Sequence, residues 1–567
     1  MHTTLDVKRP HKWNRSIEEQ DTVVLTLQTR ERQHKLKSIL VMVLLSVIAT
    51  VALVTLAVPT SALPGKSPSQ QVQLAQSQQQ QSFVSPEEFP YNAFDRYHHP
   101  PPQDLRSQPR PVIKNILTGK AFPDDDPLYP PKLPPADEAT YPRPVSGHGH
   151  PKNLYNGALS NITAILQSNA SSCSKCMQAL RVGQRLAHAK PKSGPAAMVD
   201  LCKQYQYASN KSGLSSDEAC ERTYAPSTLG AQYTQILSYA NLSSSAMDAQ
   251  AICSQVFTYC NLPPPTHLSE EYLDAWFKSV GGRKATQAPK TKKTGPPLKD
   301  GRKRLRVLHL SDIHADPRFV VGAEANGTSG LGCRQDSFSS AKAQEPAPAG
   351  QQLPLSAIND PAHYWGNFLC DSPYALVLAA FQAIKPLNGG HAPDMTLFTG
   401  DMVTHDATWH VSQDLVLSVE QAMADLLRRY LGHKPVFVTL GNHDSSPSDA
   451  ASSHNLPKGH EDFSWNYDYV SKLWESEGWL THDEAKQVGK HYGGYSVSPR
   501  KGLRVISWNS DFLYHNNPWV NIDYANPDPS GTLRFITDEL YKAEQRGEAV
   551  WLVSDAIVGQ KSSRDCG

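Results

Sequence analysis

The sequence carries no excess charge of either sign: 55 Lys and Arg stand against 54 Asp and Glu over 567 residues, a net charge of +1. No expected domain forms a broad basic face, so nucleic acid is excluded as the main partner. Charge is missing altogether from Ile39–Val58, an apolar run long enough to cross a bilayer. Periodic apolar positions are missing from the next stretch, Pro59 to about His150, which is rich in Pro, Gln and Ser instead. Such a composition cannot bury enough surface to fold, and 59–154 reads as a disordered stalk. Cysteine is scarce, nine residues in all, but every one lies beyond the apolar run and most are clustered. That placement favours an oxidising compartment over cytosolic thiols.

Arg30, Arg32, Lys35 and Lys37 precede the apolar run, so residues 1–38 read as a cytosolic tail and the chain after Val58 as extracytoplasmic. Residues 39–58 are then either a retained signal anchor or a signal peptide cleaved near Thr60-Ser61-Ala62; the length of the run favours the anchor. Both place the chemistry outside the cytosol: secreted, in a vacuolar or lysosomal lumen, or anchored facing the lumen. Asn-x-Ser/Thr sequons at Asn161, Asn169, Asn210, Asn241 and Asn326 agree with that side of the membrane.

Residues 155–265 hold six cysteines, at 173, 176, 202, 220, 253 and 260, within segments of helical period. Six cysteines allow fifteen pairings, and spacing alone does not choose among them. Residues 266–304 form a linker with Pro289, Pro296 and Pro297 and a basic run from Arg283. That run is either simply solvated or helps the protein sit on anionic lipid.

From Leu305 the pattern becomes α/β. Apolar strands at Leu305–Leu310, Met395–Phe398, Val436–Leu440, Tyr492–Val497, Leu503–Trp508 and Val550–Val553 alternate with helical stretches at Tyr374–Ile384, Gln413–Leu431 and Leu533–Arg546. The first three strands each run into polar ligand chemistry: Ser311-Asp312-Ile313-His314, Thr399-Gly400-Asp401 and Gly441-Asn442-His443-Asp444. Carboxylate, imidazole and amide groups at the mouth of one sheet suit a pair of divalent ions such as zinc. Gly147-His148-Gly149-His150 offers imidazoles too, but it sits in the Pro-rich stalk rather than behind a strand, and reads as exposed linker histidines.

The three motifs, in this order, resemble the calcineurin-like metallophosphoesterases. The resemblance implies that Asp401 bridges two Zn2+ ions, that Asp312 and His314 complete much of the first site, and that Asn442 enters the second. It casts His443 as the acid for the leaving group. Ser311–Phe319, Gly332-Cys333, His363–Gly366 through Cys370-Asp371, and Thr399–His410 are similar more narrowly to the acid sphingomyelinase family. That similarity nominates His405 as a second catalytic histidine near the phosphate; otherwise it is a loop imidazole that orders Asp406. It also implies a saposin B-like domain over 155–265, with bridges Cys173–Cys260, Cys176–Cys253 and Cys202–Cys220, and a Cys333–Cys370 bridge in the next domain. The expected architecture is a small all-α, disulfide-stapled saposin-like domain ahead of an α/β metallophosphoesterase domain at 305–553. Its implied partners are a membrane sphingolipid and the bilayer surface, and the implied reaction is cleavage of sphingomyelin to ceramide and phosphocholine.

The resemblance fails at the end. The family follows its next strand with Gly-His and later with Gly-His-x-His; here Val553 is followed by Ser554 and Asp555, and residues 554–567 match nothing in the pattern. The domain is therefore expected to be incomplete at its C-terminus, the second zinc scarcely held and activity crippled, unless Asp555 ligates through oxygen. Two other readings stand beside this one: an endopolyphosphatase-type metallophosphoesterase, against which the six-cysteine module speaks, and a non-catalytic lipid-binding remnant.

Overall fold

A computed structural model gives the fold. It describes residues 153–207, 214–282, 305–327, 358–456 and 463–556, with shorter stretches at 25–26, 113–120, 133–144 and 331–334 and a few single residues. Residues 96–280 and 304–567 belong to one compact unit together with 1–26. The other unit, Leu27–Asp95 with Gly281–Lys303, lies almost entirely outside the described residues, and with it the expected 39–58 anchor and the basic linker. Among the described residues no helix is long and apolar enough to cross a membrane.

Strands are numbered along the chain. Leu25–Thr26 (β1) comes first, then Val307–Leu310 (β2), Ala315–Asp316 (β3), Ser372–Pro373 (β4), Met395–Phe398 (β5), Val436–Val438 (β6), Tyr495–Arg500 (β7), Leu503–Ser507 (β8) and Ala549–Val553 (β9). Parallel strands in the order β2-β5-β6 make one sheet, with Leu310 opposite Phe398 and Phe398 opposite Val438. β5 is buried at all four positions, Thr396 among three apolar residues, as a parallel strand covered on both faces requires. A second sheet runs β1-β9-β8-β7, with β8 and β9 parallel and β7 and β8 antiparallel. Hydroxyls tie the sheets together at β6: the Ser507 Oγ and the Tyr495 phenol both donate to the Val438 carbonyl, and the Thr439 Oγ1 donates to the Trp508 carbonyl. The β1–β9 pairing sets Leu25–Thr26 at the edge of this second sheet.

The helical region before it comprises Leu154–Gln167 (α1), Ser172–Ala189 (α2), Gly194–Tyr205 (α3), Ser216–Thr223 (α4), Ala231–Tyr239 (α5) and Asp248–Gln255 (α6). Cys173–Cys260 and Cys176–Cys253 bind the start of α2 to the α6 end, and Cys202–Cys220 joins α3 to α4. The helices and bridges are consistent with a saposin-like domain. A fourth bridge, Cys333–Cys370, closes a loop in the following region. Four disulfides fit an oxidising, extracytoplasmic compartment. The described sequons Asn161, Asn169, Asn241 and Asn326 are exposed; Asn210 lies outside the described residues.

Two stretches expected to be featureless are built into the fold. Glu270–Lys278 (α7), inside the expected linker, is capped by Ser269. It lays Trp276 under the Arg534 guanidinium, 4.7 Å from the ring centroid, with its indole donating to Thr537 Oγ1 at 3.2 Å. Within the expected stalk, Ile113, Ile116 and Phe122 pack against the main core, and the Gln108 side chain bonds the backbone at Tyr364 and Ala375. Aperiodic apolar residues suffice here because the surface they cover is supplied by distant elements.

Tyr374–Leu387 (α8) and Gln413–Leu431 (α9) cross between the parallel strands. Ser412 caps α9 through its Oγ, and the buried Val416, Val419, Met423, Leu426, Leu427 and Tyr430 form its inward stripe. Trp465–Ser476 (α10) and His482–Lys490 (α11) follow β6, and Thr532–Arg546 (α12) precedes β9. The result is an α/β domain whose parallel strands open at one edge, where the polar motifs lie.

Candidate metal centre

Each motif begins where a strand stops. After β2 the chain bends through Asp312 and His314, both in the left-handed region at φ +52° and +41°; Asp401, after β5, does the same at +54°. Such strain in non-glycine residues is retained where side chains must be aimed. The backbone locks it: the Asp312 N–H donates to the Gly400 carbonyl and the His314 N–H to the Asp401 carbonyl, both at 3.0 Å. Glycine is obligatory behind them. A Cβ on Gly441 would stand 2.1 Å from Asp401 Oδ1, and Gly400, at φ +86°, would press on the Gly441 nitrogen.

His314 Nε2 lies 3.5 Å from Asp401 Oδ2 and 4.0 Å from Asp312 Oδ1, and its Nδ1 contacts the Val403 carbonyl at 2.8 Å. That contact fixes Nδ1 as the protonated nitrogen and leaves Nε2 a free lone pair among carboxylates. Asp312, His314 and Asp401 bring ligand atoms within 4.8 Å of one another, and so do His314, His405 and His443. Asp401 Oδ1 accepts the His443 N–H at 2.9 Å, whereas its buried Oδ2 has no hydrogen-bond partner. Asn442 turns its Nδ2 to Asp449, 2.7 Å away, and its buried Oδ1 is likewise unpartnered. Orphaned, fully buried acceptors are rare because each costs free energy. A divalent cation satisfies both, so these residues fit the metal a phosphoesterase domain uses.

Three partners of the site had no role in the sequence reading. Asp444, the last residue of its motif, accepts backbone N–H groups from Asp401, Met402 and Gly441 at 2.8–2.9 Å and so splices the second and third motifs. Asp371 holds His405: its Oδ1 meets Nδ1 at 2.8 Å and its Oδ2 accepts the His405 backbone N–H at 2.6 Å. Asp511 lies buried in the same acidic neighbourhood. His405 therefore does not order Asp406. That carboxylate instead pairs with Arg318 at 3.0 Å and Arg334 at 2.8 Å, and Arg334 also pairs with Asp316.

Electrostatics divide the imidazoles. Burial, then the neighbouring His405 charge, pushes His314 down to about 4; burial with both neighbouring imidazoles takes His443 down to about 3. Burial also opposes charge on His405, but the bond and charge of Asp371 outweigh it and raise its pKa. His405 is thus the most basic imidazole of the three, 4.3 Å ring to ring from His443. Among the acids, burial raises Asp312, and burial with Asp555 and Asp444 drives Asp401 well up, the His443 N–H opposing. Asp555, in the stretch where the family pattern fails, is 7% exposed; burial, Asp312 and Asp444 raise it to about 8. Residues beyond Ala556 and the His148–His150 pair lie outside the described residues.

Comparison with known proteins agrees with this geometry. The calcineurin-like phosphoesterase family model matches residues 305–558. Sphingomyelin phosphodiesterase 2 of Caenorhabditis elegans is 30% identical over 325 residues, 55% of this chain and 48% of the relative. The sphingomyelin phosphodiesterases of Bos taurus and Homo sapiens are 32% and 31% identical over 249 residues, each covering 44% of this chain and 36% of the relative. The chain thus spans half or less of the length of these relatives. Residues 305–558 are a calcineurin-like phosphoesterase domain, and the chain carrying them is a homologue of the sphingomyelin phosphodiesterases.

Proposed function

We propose that this protein hydrolyses the phosphodiester of a membrane sphingolipid, sphingomyelin by kinship, giving ceramide and phosphocholine. The observation that carries the reading is the convergence of Asp312, His314, Asp401 and Asn442 at three adjacent strand ends, with buried lone pairs on Asp401 and Asn442 that no protein group uses. We assign Asp312, His314 and Asp401 to one cation and Asp401 and Asn442 to a second, zinc being the choice that suits imidazole with carboxylate. Bound there, the ions supply Lewis-acid stabilisation of charge on the phosphoryl oxygens.

The chain's own groups do the rest. In the overall reaction water adds OH to phosphorus, the bond from phosphorus to the lipid oxygen breaks, and that oxygen takes up a proton. His405, whose pKa Asp371 raises and whose ring is half-exposed, is placed to hold an anionic phosphate and to supply that proton by way of His443. The disulfide-stapled helical region is a module suited to presenting lipid. It packs directly on the phosphoesterase domain through Asp248, which accepts the backbone N–H groups of Asp523 and Tyr524. Nothing in an endopolyphosphatase reaction needs such a module.

Purified protein given sphingomyelin vesicles beside inorganic polyphosphate should release phosphocholine and leave the polyphosphate intact. Asp401→Asn should abolish the release. Cleavage of polyphosphate without phosphocholine release would overturn the assignment in favour of the endopolyphosphatase reading. Vesicle binding with turnover of neither substrate would favour a lipid-binding role.

A further inference from the structure

β8 and β9 run parallel, and each delivers an aspartate just beyond its C-terminal end: Asp511 after β8 and Asp555 after β9. The backbone around Asp555 is pinned on both sides. The Trp508 N–H donates to the Val553 carbonyl at 3.1 Å, and the Ala556 N–H to the Ser510 Oγ at 2.9 Å. These strand ends lie beside the third motif, since the Thr439 hydroxyl, two residues before Gly441, donates to the Trp508 carbonyl at 2.8 Å, and Asp555 interacts electrostatically with Asp312, Asp401 and Asp444.

Among the described residues no Lys or Arg pairs with Asp312, Asp401, Asp511 or Asp555. Carboxylates with no cationic partner are neutralised by a proton each, by a shared proton or by a bound cation. Shared protons would show as carboxyl–carboxylate contacts of about 2.5–2.7 Å. Among the described residues these aspartates make none, and a proton of its own on Asp401 Oδ2 would find no acceptor: that atom and Asn442 Oδ1 are both buried and unpartnered. Asp511 is in the same position, since the Ala451 N–H that faces it falls outside hydrogen-bonding geometry. Asp449 holds the Asn442 amide so that its oxygen, not its nitrogen, is turned away from the bond they share.

We propose that Asp555 is an oxygen ligand of a second divalent cation shared with Asp401 and Asn442. The donors at this position are then all oxygens, while the first site includes the His314 imidazole. All-oxygen donors favour a harder ion such as Mn2+ or Mg2+ over zinc. This rests on reading the strand ends as a metal centre, and not on the identity of the lipid substrate.

The test is metal stoichiometry on the full chain, stripped with chelator and equilibrated with Mn2+, followed by elemental analysis and by thermal unfolding with and without the ion. The native protein should bind two Mn2+ per chain and Asp555→Asn one. Asp555→His should again bind two ions and shift the second site toward zinc. Without metal, Asp555→Asn should unfold no lower than the native chain, because the amide keeps the shape and removes a buried acid that no cation balances, while its Mn2+-induced rise should shrink. Two ions retained by Asp555→Asn, one ion in the native protein, or a metal-free Asp555→Asn less stable than its parent would each overturn the proposal. None of these readouts depends on substrate, so failure to cleave sphingomyelin would strike the proposed function and leave this result standing.

Discussion

Asp406→Asn tests how the loop carrying His405 is held. Asp406 is buried with only 4% of its side chain exposed, between Arg318 at 12% and Arg334 at 8%. Burial opposes its charge, but Arg334, His410 and Arg318 outweigh that and hold its pKa far below the usual carboxylate value. The substitution keeps the shape and removes the anion. Arg334 retains Asp316 and Arg318 retains the His410 carbonyl, so the arginines lose one anionic partner, not all their contacts. Breaking one side of a buried pair typically costs about 3–5 kcal/mol, and the surviving contacts put this case at the lower end, about 3 kcal/mol. The pH dependence gives a second handle. A carboxylate whose folded pKa is depressed contributes stability that is complete above its unfolded value, near 3.9, and declines as pH falls toward the folded value. Urea unfolding should therefore show the same deficit at pH 7 and pH 5, shrinking by about 1 kcal/mol at pH 3. A loss under about 1 kcal/mol at pH 7, or a gap unchanged at pH 3, would refute the claim that this ion pair anchors the loop.

Asp371→Asn should lower the pKa of His405, since Asp371 supplies both the bond and the charge that raise it; the basic limb of the hydrolysis profile should move to lower pH, with kcat more affected than KM. Gly441→Ala drives a methyl to within 2.1 Å of Asp401 Oδ1. Displacing that carboxylate by about 1 Å should cost on the order of a hundredfold in turnover, measured beside bound metal. Replacing Cys202 and Cys220 together by serine opens a loop of 18 residues and should cost about 3 kcal/mol in thermal or urea unfolding. Removing Cys176–Cys253 should cost less than its separation of 77 residues implies, because Cys173–Cys260 still ties the start of α2 to the segment just after α6.

What the sequence discloses and what it hides follow from the range of the forces involved. β5 is legible because Met395, Leu397 and Phe398 crowd three apolar side chains into a four-residue strand buried at every position, and α9 because a local cap and a 3.6-residue stripe coincide. α7 was not legible: its apolar Tyr272, Leu273, Trp276 and Phe277 follow a triple proline, and none of its residues is fully buried. Its reason to form is the α12 surface, more than 250 residues away. α10 has Tyr467, Val470, Leu473 and Trp474 on one stripe, a signal that sat unread after the third ligand motif. The same division runs through the site. Asp312, His314, Asp401, Asn442 and His443 are written next to strand ends, where short-range geometry aims them. Their supports are not: Asp371 reaches His405 across 34 residues and Asp444 reaches Asp401 across 43. Asp555 reads in the sequence chiefly as the absence of a histidine. A residue type says which charge is present, whereas the fold says which charges must coexist. Asp401, Asp444, Asp511 and Asp555 are buried at one sheet edge, and among the described residues no arginine or lysine pairs with them, so protons or cations must neutralise them. The case for metal at this site therefore draws on the whole constellation, including acids that no motif announces.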